Sequence, residues 1–108
     1  MSEAEGDGNR RSLDWIDPLI HSPARLKIVV ELYVVEAADA TFLVNQTGLT
    51  WGNLSTHLGK LEESGYVAVE KGYDGKRPQT MIQLTDRGRT AFREYRANMQ
   101  RVMEELPE

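Results

Sequence analysis

Residues able to meet a nucleic acid concentrate in the segment from Thr50 to Lys60. At about 100° per residue, with Leu54 set to zero, Leu58 falls at about 40° and Leu61 at about −20°, which makes a buried stripe. The other side then carries Gly52 (about 160°), Asn53 (about 260°), Thr56 (about 200°), Gly59 (about 140°) and Lys60 (about 240°), with Ser55 and His57 flanking it. These side chains suit DNA. An Asn amide pairs in bidentate fashion with an adenine edge, a Lys ammonium reaches guanine or phosphate, and a Thr hydroxyl bonds to either or lays its methyl on thymine. Thr50 and the first-turn amides suit a phosphate. Glycine inside a helix costs roughly 0.5–1 kcal/mol relative to Ala, so two on one exposed face point to close approach of another surface. The bland alternative is an ordinary solvated face, with Lys60 a solvated charge. His57, at about 300°, fits a DNA contact or a half-buried structural imidazole equally well. Trp51, at about 60°, is expected to pack partly in the core with its indole N–H at the DNA boundary.

A second group is Lys71, Lys76 and Arg77 around Asp74 and Gly75. Pro78 restricts Arg77 to extended backbone, which suits insertion into a minor groove or a phosphate clamp. A third is Phe92, Tyr95, Met99, Val102 and Leu106, whose alternating spacings of three and four make a seam that wants a partner helix. With Trp15, Ile16 and Leu19 it is the expected homodimer interface. A cavity between Trp15, Tyr33 and Tyr95 would suit an unidentified apolar small-molecule effector, although aromatic residues at helical spacing are more often packing.

The elements that must position these groups follow from start and stop signals. Residues 1–11 lack apolar periodicity and read as a disordered leader, and 12–106 as one domain. A short helix from Ser12 is interrupted near Pro18. Ser22 as cap and Pro23 at the first helical position open a helix to about Ala37, apolar almost all round and therefore heavily buried. Thr41 caps a short helix, Phe42 to Thr47, closed by Gly48, and Thr50 caps the helix from Trp51 to about Ser64, stopped by Gly65. Tyr66–Glu70 and Thr80–Leu84 alternate as strands around the loop KGYDGKRP, giving a hairpin with a basic tip. Thr85 and Asp86 open a long helix to about Leu106.

Three helices, the last two a helix-turn-helix, then a two-stranded ribbon and a closing helix, is winged-helix order. The stretch Leu19 to Arg93, with IHSPARLKIV, LTWGNLSTHLGKLEESGYV, GKRP and LTDRGRTAF, resembles the small winged-helix transcriptional regulators related to the MarR and ArsR groups. The resemblance implies an α+β, mainly α fold: a winged helix-turn-helix with a two-stranded wing and a C-terminal dimerisation helix. It also implies a dimer that binds double-stranded DNA sequence-specifically, with the helix after Gly48 in the major groove and residues 71–80 against backbone or minor groove. A repressor at a palindromic operator is the expected role. A protein-interaction module without DNA affinity is the alternative.

The 108 residues contain 13 Lys+Arg, 17 Asp+Glu, two His and no Cys, for a net charge of −4. Disulfides, thiolate metal sites and thiol sensing are excluded, and no metal or cofactor is expected. With no carboxylate–His arrangement at catalytic spacing and no phosphate-cradling Gly-rich loop, an enzyme is not expected. The polar, acidic beginning lacks an apolar signal region and no apolar run could span a membrane, so the expected location is cytoplasmic. The acidity lies at the ends: residues 25–103 hold eleven bases against nine acids. That small excess supports little non-specific affinity through counterion release, so specific contacts must dominate.

Overall fold

The computed structural model describes residues 12–108, so the expected leader lies outside the described residues. Helix α1 (Pro23–Val35) begins as its residues dictate: Ser22 is extended, its Oγ accepts from the Arg25 N–H at 3.4 Å, and Pro23 occupies the first turn. Ile28, Val29 and Leu32 are fully buried and make α1 the centre of the core. Its expected burial all round is corrected, since Val30, Val34 and Val35 are exposed. The helix also stops at Val35 rather than Ala37, because Ala37–Asp39 form a short strand, β1, paired antiparallel with Met81–Gln83.

Helix α2 (Ala40–Thr47) is capped by Asp39, whose carboxylate accepts from the Phe42 N–H at 2.7 Å. The expected cap, Thr41, lies inside the first turn; of two cap-type residues two positions apart, the one at the strand end takes the role. Gly48 closes α2 with φ 74 and ψ 8, the left-handed geometry a chain reversal requires. Helix α3 (Trp51–Glu63) follows at once. Thr50 Oγ1 accepts from the Asn53 N–H at 3.1 Å, and Leu54, Leu58 and Leu61 form the buried stripe.

Strands β2 (Val67–Asp74) and β3 (Arg77–Leu84) pair antiparallel from Val67↔Leu84 to Asp74↔Arg77, and the sheet order is β1-β3-β2. The sheet is thus three-stranded, and most of the segment expected as a loop is strand. Only Gly75 and Lys76 connect the two, and a positive φ of 67 at Gly75 is what a two-residue type II′ connection needs. Because β1 reaches only Met81–Gln83, β3 is an edge at Pro78, so the missing N–H breaks no ladder bond there.

Helix α4 (Asp86–Glu105) is capped by Thr85, whose hydroxyl accepts from the Gly88 N–H at 3.0 Å. Instead of a first α-helix, Ser12–Trp15 form one 3-10 turn. Asp17 Oδ1 then accepts from the Leu19 N–H at 2.9 Å and folds the chain around Pro18, which drops Ile20 into the core fully buried. Asn98 Nδ2 donates to the Trp15 carbonyl at 3.1 Å, fastening this turn to α4.

Candidate nucleic-acid interface

The stripe of α3 against the core turns its remaining surface outward: Thr50, Trp51, Gly52, Asn53, Ser55, Thr56, Gly59 and Lys60 are all exposed. From Trp51 to Leu61 no carboxylate interrupts this surface; Glu62 and Glu63 stand at its far end. Around Gly52 and Gly59 an added Cβ would meet nothing within 4 Å among the described residues, so no contact with them calls for glycine at either place.

Trp51 departs from its expected partial packing: it is 57% exposed. In the first turn, it stands over a cleft of about 290 Å³ that it shares with Thr41, Asp74, Arg77, Gln79 and Thr80. The cleft therefore brings one end of α3 together with Arg77, while Lys76, also exposed, sits at the connection between the strands. Gln79 donates from Nε2 to Asp39 Oδ2 at 3.4 Å, tying the hairpin to the cap of α2. Gln79 and Thr80 belong to the segment 71–80 expected against DNA, and the strand pairing carries them to the same wall as Trp51.

His57 is half-buried, and its Nδ1 lies 3.1 Å from Nη1 of Arg25. Burial, then the charges of Arg25 and Lys60, hold its pKa below the ordinary 6.5. Arg25 was not among the expected site residues. A signal existed: a cation in a helix's first turn opposes the helix dipole and calls for a reason. Arg25 Nε donates to the Leu19 carbonyl at 2.5 Å, and the Tyr66 hydroxyl donates to Asp17 Oδ2 at 2.5 Å. Burial, then the bond to Asp17, pushes the Tyr66 pKa up to about 12, so this hydroxyl keeps its proton.

Of the expected interface seam, Phe92, Tyr95 and Val102 are buried within the chain, Ile16, Leu19 and Met99 are partly buried against the core, and Trp15 and Leu106 are exposed at 59% and 50%. Tyr33 packs on Phe92 with ring centroids 5.0 Å apart and lies under the Arg89 and Arg96 guanidiniums, at 5.0 and 5.8 Å. The groove that reaches Tyr95, about 570 Å³, is lined by Leu26, Phe92, Arg96, Met99 and Met103 among others, and neither Trp15 nor Tyr33 lines it. The cavity expected between Trp15, Tyr33 and Tyr95 is corrected accordingly: the face of Tyr33 is taken up by Phe92 and the two arginines. Among the described residues no cluster of three His, Cys, Asp or Glu could hold a metal ion, and no helix is long and apolar enough to cross a membrane.

Protein MJ0432 of Methanocaldococcus jannaschii is 40% identical over 77 residues, which cover 71% of this chain and 84% of that protein. A transcriptional regulator homologue from Pyrococcus horikoshii OT3 superposes with a TM-score of 0.81 at 27% identity, covering 88% of this chain and 98% of the other. A MarR family regulator from Silicibacter pomeroyi gives a TM-score of 0.61 at 20% identity, over 95% of this chain and 71% of its own, and shares the fold. The fold implied by the MarR and ArsR resemblance is thus the one that structures of both families share with this chain. Residues 24–103 match the family model described as a winged helix DNA-binding domain, and the chain belongs to this family of DNA-binding domains, which are not enzymes.

Proposed function

We propose that the chain is a homodimeric transcriptional repressor that binds a roughly palindromic double-stranded DNA operator sequence-specifically. Helix α3 enters the major groove and residues 71–80 of the hairpin lie against the backbone or minor groove. The observation that carries this reading is the face of α3: small, polar and basic, with two glycines that no contact among the described residues requires. DNA supplies the close surface they await. Arg77 and Trp51, which wall one cleft, extend the same surface toward the wing.

The dimer rests on α4 and the turn fastened to it, where Leu13, Trp15, Met103 and Leu106 expose 50% or more of their surface. Two copies joined there would present two α3 helices to half-sites about one DNA turn apart, roughly 34–36 Å. The groove lined by Leu26, Phe92, Tyr95, Arg96 and Met99 would lodge an apolar effector. A protein that binds DNA in this way works in the cytoplasm.

Selection of duplexes from a random library by the full-length chain at moderate salt tests the reading, together with sedimentation to give the oligomeric state. An enriched two-fold symmetric site and a dimer are expected. Asn53→Ala should weaken binding by about 1–3 kcal/mol and relax preference at one position. Lys60→Ala should weaken all duplexes alike and lower the salt slope by about one. Recovery of no enriched sequence would overturn the reading.

A further inference from the structure

We propose that Arg25 is a positioning residue that sets His57 as a neutral, donor-only contact on the α3 face, offering its Nε2–H to an acceptor atom of DNA. This rests on the DNA-binding reading above.

A guanidinium has donors and no acceptor. With Arg25 Nη1 3.1 Å from His57 Nδ1, the imidazole must accept at Nδ1, so its single proton resides on Nε2. An imidazolium has no lone pair to offer and could not make this contact. Arg25 is itself held: its Nε donates to the Leu19 carbonyl, and the turn presenting that carbonyl is folded by Asp17, which also accepts from Tyr66 at the root of the hairpin. A line of hydrogen bonds thus runs from the hairpin root to α3.

The other nitrogen of His57 has no hydrogen-bond partner among the described residues. On the helix surface His57 falls in one row with Asn53 and Lys60, four and three positions away, the two residues given to base and phosphate contacts. The charges that bear on the ring are Arg25 from α1 and Lys60 from its own helix, both positive, which with partial burial favours the neutral form. A neutral donor has a distinct signature: it contributes affinity but releases no counterion, whereas Lys60 does both.

Two measurements on the full-length protein test this. The first is an NMR titration of the His57 ring. His57 should titrate below 6.5, and Arg25→Gln should move it up toward that value. The sign for stability follows. Between the folded value and 6.5 the unfolded chain binds more protons, so stability is complete above about pH 6.5 and falls as pH drops through that window; Arg25→Gln flattens the fall.

The second measurement is binding to the duplex selected above. His57→Ala should lose about tenfold in affinity with its salt slope unchanged. His57→Gln, whose amide N–H reaches the place of Nε2–H, should recover most of the loss, and Arg25→Gln should fall between. Relaxed preference at one position identifies a base-edge acceptor; equal loss on every duplex identifies a phosphate oxygen. If Arg25→Gln does not fold, the wild-type titration and the Gln rescue decide. Selective binding by the wild type with His57→Ala unchanged would overturn the inference and leave the DNA-binding reading standing. So would a His57→Ala salt slope lowered by about one, or a His57 titrating at or above 6.5. A wild-type chain that selects no sequence would overturn both.

Discussion

Helices α3 and α4 both hold glycine inside the helix, yet the space around those glycines differs completely. A Cβ at Gly88 of α4 would stand 2.1 Å from the Tyr66 carbonyl oxygen and 3.0 Å from Leu84 Cδ1; at Gly52 or Gly59 of α3 it would meet nothing within 4 Å. In α4 the glycine is dictated from within, because the helix start must press on the hairpin root where Thr85 donates to the Gly65 carbonyl at 2.6 Å. In α3 the described residues supply no such contact. Two residues that cost helix stability without internal return point to a requirement outside the chain. That difference separates what holds the fold from what the fold is for.

The sharpest way to break the comparison is Gly88→Ala. Neither the Tyr66 carbonyl nor the short helix start can yield easily, since the same carbonyl accepts from the Thr85 N–H at 3.0 Å. Overpacking of this kind typically costs 1–3 kcal/mol, and a contact with backbone belongs at the upper end, about 3 kcal/mol. Urea unfolding with unchanged slope and a midpoint lowered to that extent is expected; an unchanged midpoint would remove the internal half of the comparison.

The opposite sign is expected on α3. Gly52→Ala and Gly59→Ala should each raise stability by about 0.5–1 kcal/mol, the double variant by about 1–2 kcal/mol, because the methyls enter open space and the unfolded chain loses freedom. The same variants should bind the selected duplex more weakly. A gain in melting temperature together with a loss of DNA affinity is the combined readout; variants that are more stable and bind equally well would mean that nothing approaches this face closely.

How far the chain's own pattern led differs between these regions for a physical reason. Caps, closing glycines and the Leu54–Leu58–Leu61 stripe act over three or four residues, so α1, α3 and α4 were legible, as was the polar face opposite the stripe. Strand β1 was not: three residues, Ala37 to Asp39, carry no alternation and become a strand only because Met81–Gln83 lie alongside. The outer hairpin read as a loop because Gly72 and Pro78 depress strand propensity, while the cross-strand ladder up to Asp74↔Arg77 overrides them. Arg25 stayed hidden for the same kind of reason, since its partner His57 lies 32 positions along the chain. Interfaces expected from the α4 seam split likewise, because folding covers Phe92 and Tyr95 and leaves Trp15 and Leu106 outside.

The smallest expected effect reverses the comparison: a position whose geometry favours glycine and holds another residue. Glu36, between α1 and β1, has φ 72 and ψ −43, the only non-glycine residue with positive φ among those described. It closes α1 by donating its N–H to the Leu32 carbonyl at 2.9 Å and turns the chain at once into β1. A side chain in this region costs about 1–2 kcal/mol, whereas glycine there gives up roughly 0.5–1 kcal/mol of extra unfolded-state freedom. Glu36→Gly should therefore stabilise by about 0.5–1 kcal/mol net, read as a small rise in the unfolding midpoint. Since Glu36 lies at the end of α1 and outside the α3 face, DNA affinity should not move with it. Stability gained at Glu36 without loss of binding, beside stability gained at Gly52 and Gly59 with loss of binding, would show that the cost of the α3 glycines is tied to DNA rather than to loosened packing in general.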